Sequence, residues 1–454
     1  MSDARVETRP RAESVARDEQ DTDVELPPPV HVLRRIGKRP ALSHHNRLIF
    51  LVIATNLGLL VNALGPGDWW STPGNTALSE LSNVTLANFA LAILIRQQYV
   101  INALFWLATR APVTWPLRVR WTLGKVYHFG GLHVGGAIAG TLWFLAYTGT
   151  LIDSWVRNES GAGTGRLAVS CALTLVLLGV VTTALQPLRS RFHDVFERTH
   201  RFGGWTALAL FWAQTVMASG GRTPATEPAI WVLGVVTLSV ALPWMRLRKV
   251  TVAIDRPSPH VALTRFDHGV TPFPGSSTAV SRNPLREWHS FANVPAPGRA
   301  GFRLTISRAG DWTASFIDDA PARVWVKGIP TAGVANIETL FTKVVYVATG
   351  SGIGPVLPHL LADDVPSKLV WATRSPRETY GDELVDEILA TRPDALVWDT
   401  SVLGKPDMLR LTYAAYVSSA AEAVICISNK KLTWSVVHGM ERLGIPAYGA
   451  IWDS

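Results

Sequence analysis

Two short runs near the C-terminal end have residue types and spacings suited to a phosphate-bearing ligand. Val344–Thr349 is β-branched and apolar, and Gly350-Ser351-Gly352-Ile353-Gly354-Pro355 follows it directly. Glycines between a strand and a helix let a diphosphate approach backbone N–H groups at the helix N-terminus, where the helix dipole favours negative charge. Gly-x-Gly-x-Gly alone is a weak signal; the strand pattern before it and the helical pattern after it make it stronger. The next apolar run, Lys368–Thr373, ends in Arg374-Ser375-Pro376-Arg377. A bare ribose favours an acid at this point, whereas arginine and serine suit a 2′-phosphate. The residues therefore point to NADPH over NADH. The competing reading makes these arginines solvated turn residues.

Placing those turns needs alternating strands and helices. Ala395–Thr400 and Ala423–Ser428 read as further buried strands, with helical stretches at about 380–391, 408–419 and 432–443. That alternation predicts a doubly wound α/β lobe over 341–454. Before it, Thr251–Ile254, His260–Arg265, Phe302–Ser307 and Arg323–Lys327 are short alternating stretches between turns. They predict an antiparallel β-barrel over 250–340, built of strands only.

Hydrophobic residues make up 48% of the 454 residues and charged residues 17%, with a net charge of +8. The apolar runs crowd 46–249. Six segments approach the roughly 20 apolar residues of a bilayer span. They are Leu48–Leu64, Leu81–Ala108, Val126–Ile152, Leu167–Leu185, Gly203–Ala218 and Ala229–Trp244. Arginines and lysines gather in alternate loops, which predicts a multi-pass membrane protein with both termini cytoplasmic. The lipid bilayer is then a partner and nucleic acid is not, since no basic stripe with interleaved aromatics occurs. Residues 1–45 are expected to form a tail, its first 30 positions too polar to bury a core. Two cysteines, Cys171 and Cys426, sit in apolar runs and predict neither a disulfide framework nor a thiolate cluster. Polar residues among the spans are functional candidates: Arg96, His128, His133, His193 and His200.

Several of these segments resemble the ferric reductase and NADPH oxidase superfamily over roughly 45–454. Ala87-Asn88-Phe89 to Arg96 is similar to its second span, and Arg191 to His200 to the lead-in of its fifth. Gly444 to Ser454 resembles the ending of a subgroup of integral membrane flavoproteins, the TmpA-like proteins, which lack the full heme histidine set. The resemblance implies a six-helix transmembrane bundle followed by a ferredoxin-reductase-like module that binds FAD and NADPH. Glu287-Trp288-His289-Ser290-Phe291-Ala292 is similar to the family's flavin motif, with Ser290 for proline and Ala292 for the hydroxyl residue. Lys327-Gly328-Ile329-Pro330 through Gly333 resembles the turn between the lobes. Cys426 takes the place of a hydride-transfer cysteine and Trp452 that of a flavin-stacking aromatic, each with plain packing as the rival role.

The family pairs histidines 13 or 14 residues apart on its third and fifth spans to hold two stacked hemes. Here those positions are Thr141 and Leu142 after His128, Ala146 and Tyr147 after His133, and Ala213 and Gln214 after His200. The two-heme wire is thus not expected. A single heme between His200 and either His128 or His133 stays as an alternative, and Arg96 could pair an anionic cofactor group. The implied function is a membrane-bound oxidoreductase passing electrons from NADPH through FAD to an unidentified acceptor. Its rival is a regulatory or biosynthesis-associated membrane protein that binds nucleotide without turnover.

Overall fold

The computed structural model describes residues 25–29, 40–70, 76–159, 162–219, 227–267, 269–295 and 300–449. Trp452 and most of the expected tail lie outside the described residues. The first half is helical: α1 (His44–Leu64), α2 (Thr76–Leu94), α3 (Gln98–Thr109), α4 (Leu117–Leu123), a 3-10 turn over Gly124–Phe129 and α5 (Gly130–Val156). Then come α6 (Thr164–Ala184), α7 (Gln186–Arg191), α8 (His193–Ala218) and α9 (Pro228–Met245). Five helical stretches, His44–Leu64, Thr76–Leu94, Leu117–Val156, Thr164–Ala184 and Pro228–Met245, are long and apolar enough to cross a membrane. Helix α8 is not among them, because Asp194, Glu197, Arg198 and Arg201 load its first half with charge.

The run Leu81–Ala108 is not one helix. It breaks at Ile95–Gln97, and Gln97 caps α3 by accepting a hydrogen bond from the Tyr99 amide. The polar run Arg96-Gln97-Gln98 falls at this break, so of the two forms the sequence allows, one tilted helix or a helix with an extension, the second is found.

Helix α5 packs on two neighbours through small residues. A Cβ on Gly131 would lie 2.2 Å from the His45 carbonyl oxygen of α1, and one on Gly136 would lie 2.8 Å from the Asn88 carbonyl oxygen of α2. Backbones this close leave room for glycine alone. Past the crossing, a cavity of about 250 Å³ lies between α1 and α5, lined by Ile53, Leu57, Leu60, Leu142 and Trp143 among others. Asn56 and Asn88 exchange reciprocal amide bonds of 3.0 and 2.8 Å beside it.

The second half holds two sheets. Strands β1 (Leu247–Ser258), β2 (Val261–Phe266), β3 (Ser277–Ser281), β4 (His289–Ala292), β5 (Val294–Pro295), β6 (Phe302–Ser307) and β7 (Arg323–Lys327) pair antiparallel in the order β4-β3-β7-β1-β2-β6-β5. The edge strands β4 and β5 are joined by Asn293 alone, so the sheet must curl until its edges nearly meet. It is not built of strands only: helix α10 (Asp311–Asp319) follows β6 and buries Phe316 and Ile317. Nine residues, with Trp312 and Phe316 one turn apart, are too short a helical signal to stand out between strands.

The last lobe alternates β8 (Val344–Thr349), α11 (Ile353–Ala362), β9 (Ser367–Thr373), α12 (Pro376–Tyr380), α13 (Asp382–Thr391), β10 (Leu396–Asp399), α14 (Met408–Ser419), β11 (Ala423–Ile427), α15 (Lys430–Arg442) and β12 (Ala447–Gly449). All five strands are parallel in the order β10-β9-β8-β11-β12. The order reverses between β8 and β11, which opens a crevice at the carboxyl ends of those two strands.

This lobe does not hang free. Ile101 and Phe105 of α3 belong to the same hydrophobic cluster as β8, β9 and α11. Asn102 donates to the Pro330 carbonyl at 2.9 Å and accepts from the Ala332 amide at 2.9 Å. Arg120 grips Glu422 with two nitrogens, at 2.7 and 3.0 Å, and donates to the Leu340 carbonyl. Lys125 pairs with Glu441 at 2.7 Å and donates to the Ala447 carbonyl. Segment 98–129 is therefore a bracket, chemically part of both halves.

Candidate nucleotide-binding site

The glycine turn sits at the carboxyl end of β8, beside the crevice. Gly350 has φ +49°, and Ser351 is exposed while Gly352, Ile353 and Gly354 are buried. A Cβ on Gly352 would lie 2.0 Å from the Ile427 carbonyl oxygen, so this glycine is required by the close pass of β11 whatever binds above it. Gly354 approaches Thr305 of the barrel. Thr349 Oγ1 and Ser428 Oγ hydrogen-bond across the crevice, one at the end of each flanking strand. Ser428 was not among the expected site residues. The reversal of strand order is what marks it, and that order is not written in any local pattern.

The four residues after β9 divide. Arg377 is committed to Asp382 and Asp386 at 2.8 and 2.7 Å. Ser375 holds a left-handed backbone, φ +40°. Arg374 is exposed, and its guanidinium has no hydrogen bond or ion pair among the described residues. Of the two arginines, Arg374 is the one with donors to spare. Its replacement by alanine should weaken NADPH binding roughly 10- to 150-fold, the value of a charge-assisted hydrogen bond of about 1.5–3 kcal/mol. NADH binding should barely move. Titration of both dinucleotides against the full chain decides it, since equal losses would mean general damage.

The stretch resembling a flavin motif lies on the barrel wall. His289 stacks on Trp312 at 4.0 Å, and its Nε2 is buried without a partner among the described residues. Burial pulls this imidazole below its ordinary range, so it is neutral near pH 7. Ser290 is exposed on the same strand and Phe291 half-buried. Trp288 is spent on the junction with the helices. Its indole donates to the Pro284 carbonyl and stands perpendicular to Trp244 of α9, 6.2 Å away. The Lys327 ammonium lies over both rings, at 4.5 and 5.6 Å, and burial lowers it to about 8.

The turn from Gly328 to Gly333 has protein partners throughout. Gly328 donates to the Arg246 carbonyl, Pro330 accepts from Asn102, and Gly333 donates to Asn336. These residues join lobes and bracket together. Pro355 is half-buried at the start of α11.

Cys426 is fully buried in the core behind β11, and burial pushes its thiol up to about 12. Only about one part in ten thousand would be thiolate at pH 8. Iodoacetamide at that pH should leave Cys426 unmodified in the folded chain and react only after denaturation, as mass spectrometry of the peptides can tell. Rapid native labelling would mean that the lobe opens.

The histidines of the helices separate likewise. His133 and His200 face each other across α5 and α8 with ring centroids 6.0 Å apart, and His133 Nδ1 bonds the Ala92 carbonyl at 2.8 Å. His128 stacks instead on His44 and Tyr127. Arg96 lies over the Phe129 ring at 5.7 Å. Fourteen residues on from His133 and His200, Gln214 donates directly to the Tyr147 hydroxyl at 2.7 Å, and Arg166 donates to the same oxygen. Among the described residues there is no group of three or more His, Cys, Asp or Glu that could hold a metal ion.

With this geometry in view, residues 334–454 match the family model described as "Adenylate-forming reductase 03009, C-terminal domain". Two fungal proteins of Coprinopsis cinerea are similar over most of the chain. Adenylate-forming reductase 03009 is 41% identical over 421 residues, 91% of this chain and 40% of the relative. Adenylate-forming reductase 06235 is 39% identical over 419 residues, 90% of this chain and 40% of the relative. Among solved structures, a ferredoxin NADP+ reductase from Neisseria gonorrhoeae with bound FAD and NADP is similar, with TM-score 0.36 and 12% identity, covering 45% of this chain and 98% of that one. The reductase of Plasmodium falciparum is similar at TM-score 0.35 and 11% identity, covering 46% of this chain and 96% of that one. The chain thus spans 40% of the length of the curated adenylate-forming reductases it matches.

Proposed function

We propose that this chain is a membrane-bound oxidoreductase that takes electrons from NADPH through FAD to an acceptor on the side of its soluble lobes. The observation carrying this reading is the pairing of a glycine turn at a strand-order reversal with an unpaired arginine after the next strand. The turn offers backbone N–H groups to a diphosphate, and Arg374 offers donors to a 2′-phosphate. His289 Nε2 is the buried polar atom that a flavin on the barrel wall would satisfy, and Ser290 stands exposed beside it. A bound flavin supplies the exchange between hydride chemistry and the acceptor's needs. The chain's own residues bind and orient the dinucleotide.

Membrane insertion is supported by Phe50, Leu51, Leu57 and Val61 of α1, Leu175 of α6 and Trp231 of α9, all exposed. Apolar surface on that scale calls for a non-aqueous neighbour. The positive loops then favour the soluble lobes on the cytoplasmic side, and both termini there if α8 crosses as a sixth span despite its charged first turns. The Tyr147–Gln214 contact supports an acceptor on that side, since it fills the place where a second heme would continue the path. The relatives' name joins adenylate formation to reduction, and we assign this chain the reductive part.

One observation favours a second reading. The His133–His200 pair faces across α5 and α8, and the Ala92 carbonyl holds His133 Nδ1 so that its other nitrogen is free to ligate, which suits the single-heme form of the ferric-reductase resemblance. The absorption spectrum of the full chain purified in mild detergent tests both. A flavin band supports the proposal, and a Soret band lost in His200→Ala supports the second reading. Absence of both would leave a nucleotide-binding protein without redox cofactors and overturn the proposal.

A further inference from the structure

We infer that Asp399, on the strand beside the one that Arg374 follows, is the residue that sets selectivity for a 2′-phosphate, by holding the Arg374–Arg377 turn ready to receive it. This rests on the reading that the crevice binds a dinucleotide, and it adds a positioning residue that no local pattern after β9 contains.

Asp399 ends β10 and is in register with Thr373, the last residue of β9. One of its carboxylate oxygens, Oδ1, accepts from the Ser375 amide at 2.9 Å, from the Ser401 amide at 2.8 Å and from the Ser401 hydroxyl. Ser375 is where the backbone is left-handed, a conformation unfavourable for a non-glycine residue. The Asp399 bond to the Ser375 amide offsets that cost and fixes the direction in which the chain leaves β9. The Thr379 hydroxyl donates to the Arg374 carbonyl at 2.9 Å and pins the other side of the turn. Arg374 is consequently presented outward on a backbone braced from both sides.

The hydroxyls follow a definite order. Ser401 gives its proton to Asp399, so in the 3.1 Å contact between Ser375 and Ser401 it is Ser375 that donates. Ser375 can rotate that single proton to an incoming phosphate oxygen while Ser401 stays locked. The carboxylate itself faces inward onto three donors, which spreads its charge. Arg377 cannot substitute, being held by Asp382 and Asp386.

An acid near a ribose also has the opposite use, accepting from the 2′- and 3′-hydroxyls of NADH. The two roles predict opposite variants. The test uses the full chain in detergent, with 2′,5′-ADP and 5′-AMP as probes that differ only in the 2′-phosphate. For Asp399→Ala, 2′,5′-ADP affinity should fall about tenfold while 5′-AMP affinity holds. Asp399→Asn keeps an acceptor oxygen for the Ser375 and Ser401 amides and should retain wild-type preference. If Asp399→Ala leaves the preference for 2′,5′-ADP intact, or if both variants lose 5′-AMP affinity instead, the inference is overturned. Wild-type protein that binds both probes equally would sink the NADPH reading itself, a different failure visible before any variant is made.

Discussion

Glu422→Ala should be the most destabilising single change outside the sheets. Arg120 is 4% exposed, and Glu422 is its only anionic partner among the described ion pairs. Removing the acid leaves a buried guanidinium without countercharge, a loss of roughly 3–5 kcal/mol. The Glu422 carboxyl also accepts from the Thr342 amide at 2.8 Å, so that donor is orphaned too. The hydrogen bond from Arg120 holds this carboxyl down at about 2, against an ordinary 4.5. A depressed acid stabilises fully above its unfolded value and loses that contribution as pH falls through the folded one. The pair should therefore support the fold above about pH 4.5 and fail progressively toward pH 2. Thermal unfolding of the full chain in detergent should show a lower midpoint for Glu422→Ala and a flatter acid limb between those values. A midpoint unchanged at neutral pH would mean that the bracket is not a stabilising contact.

Ser351→Asp should abolish dinucleotide binding while leaving the fold intact. Ser351 is exposed at the mouth of the glycine turn, so its side chain has space. A carboxylate there would oppose a diphosphate at close range in a partly water-excluded crevice, where like charges cost several kcal/mol. At 1.4 kcal/mol per factor of ten, affinity should drop by roughly 100-fold or more. Ser351→Ala should change it little. Gly352 is the wrong place for this test: any side chain meets the Ile427 carbonyl, and loss of binding would report a displaced strand. Calorimetric titration with NADPH, beside a melting curve for each variant, separates the two causes. Wild-type affinity in Ser351→Asp would mean that the diphosphate does not lie at this turn.

The nucleotide lobe was legible in sequence because its signals are local. Strand, glycine turn and helix follow one another within about fifteen residues, and the β-branched runs of β8 and β11 have no helical period. The place of Arg374, just past the end of β9, was legible for the same reason. Asp399 was not, since it acts across a sheet whose order no single segment encodes. The bracket was hidden more deeply. Past Arg96-Gln97-Gln98 the chain turns apolar again in α3, and nothing in Ile101 or Phe105 distinguishes a lipid contact from the core of a lobe more than 200 residues later. Arg120 and Lys125 read well as orientation charge on a positive loop, yet both are buried against carboxylates. The count of heme positions held a clue in Tyr147 and Gln214, which proved to touch each other.

The bracket also imposes an order on biogenesis. Arg120 and Glu422 are 302 positions apart, and Lys125 and Ala447 are 322 apart. Ribosomes add about 5–20 residues each second, so Arg120 waits roughly 15–60 s for its partner. Throughout that interval Ile101 and Phe105 have no core to enter, and the loop carries uncompensated charge. A nascent chain of this design presents a sticky apolar face beside the membrane until its last strand is made. Its demand for chaperones should peak late in synthesis, and a stalled or prematurely ended chain should be recognised for destruction by the helices it finished first.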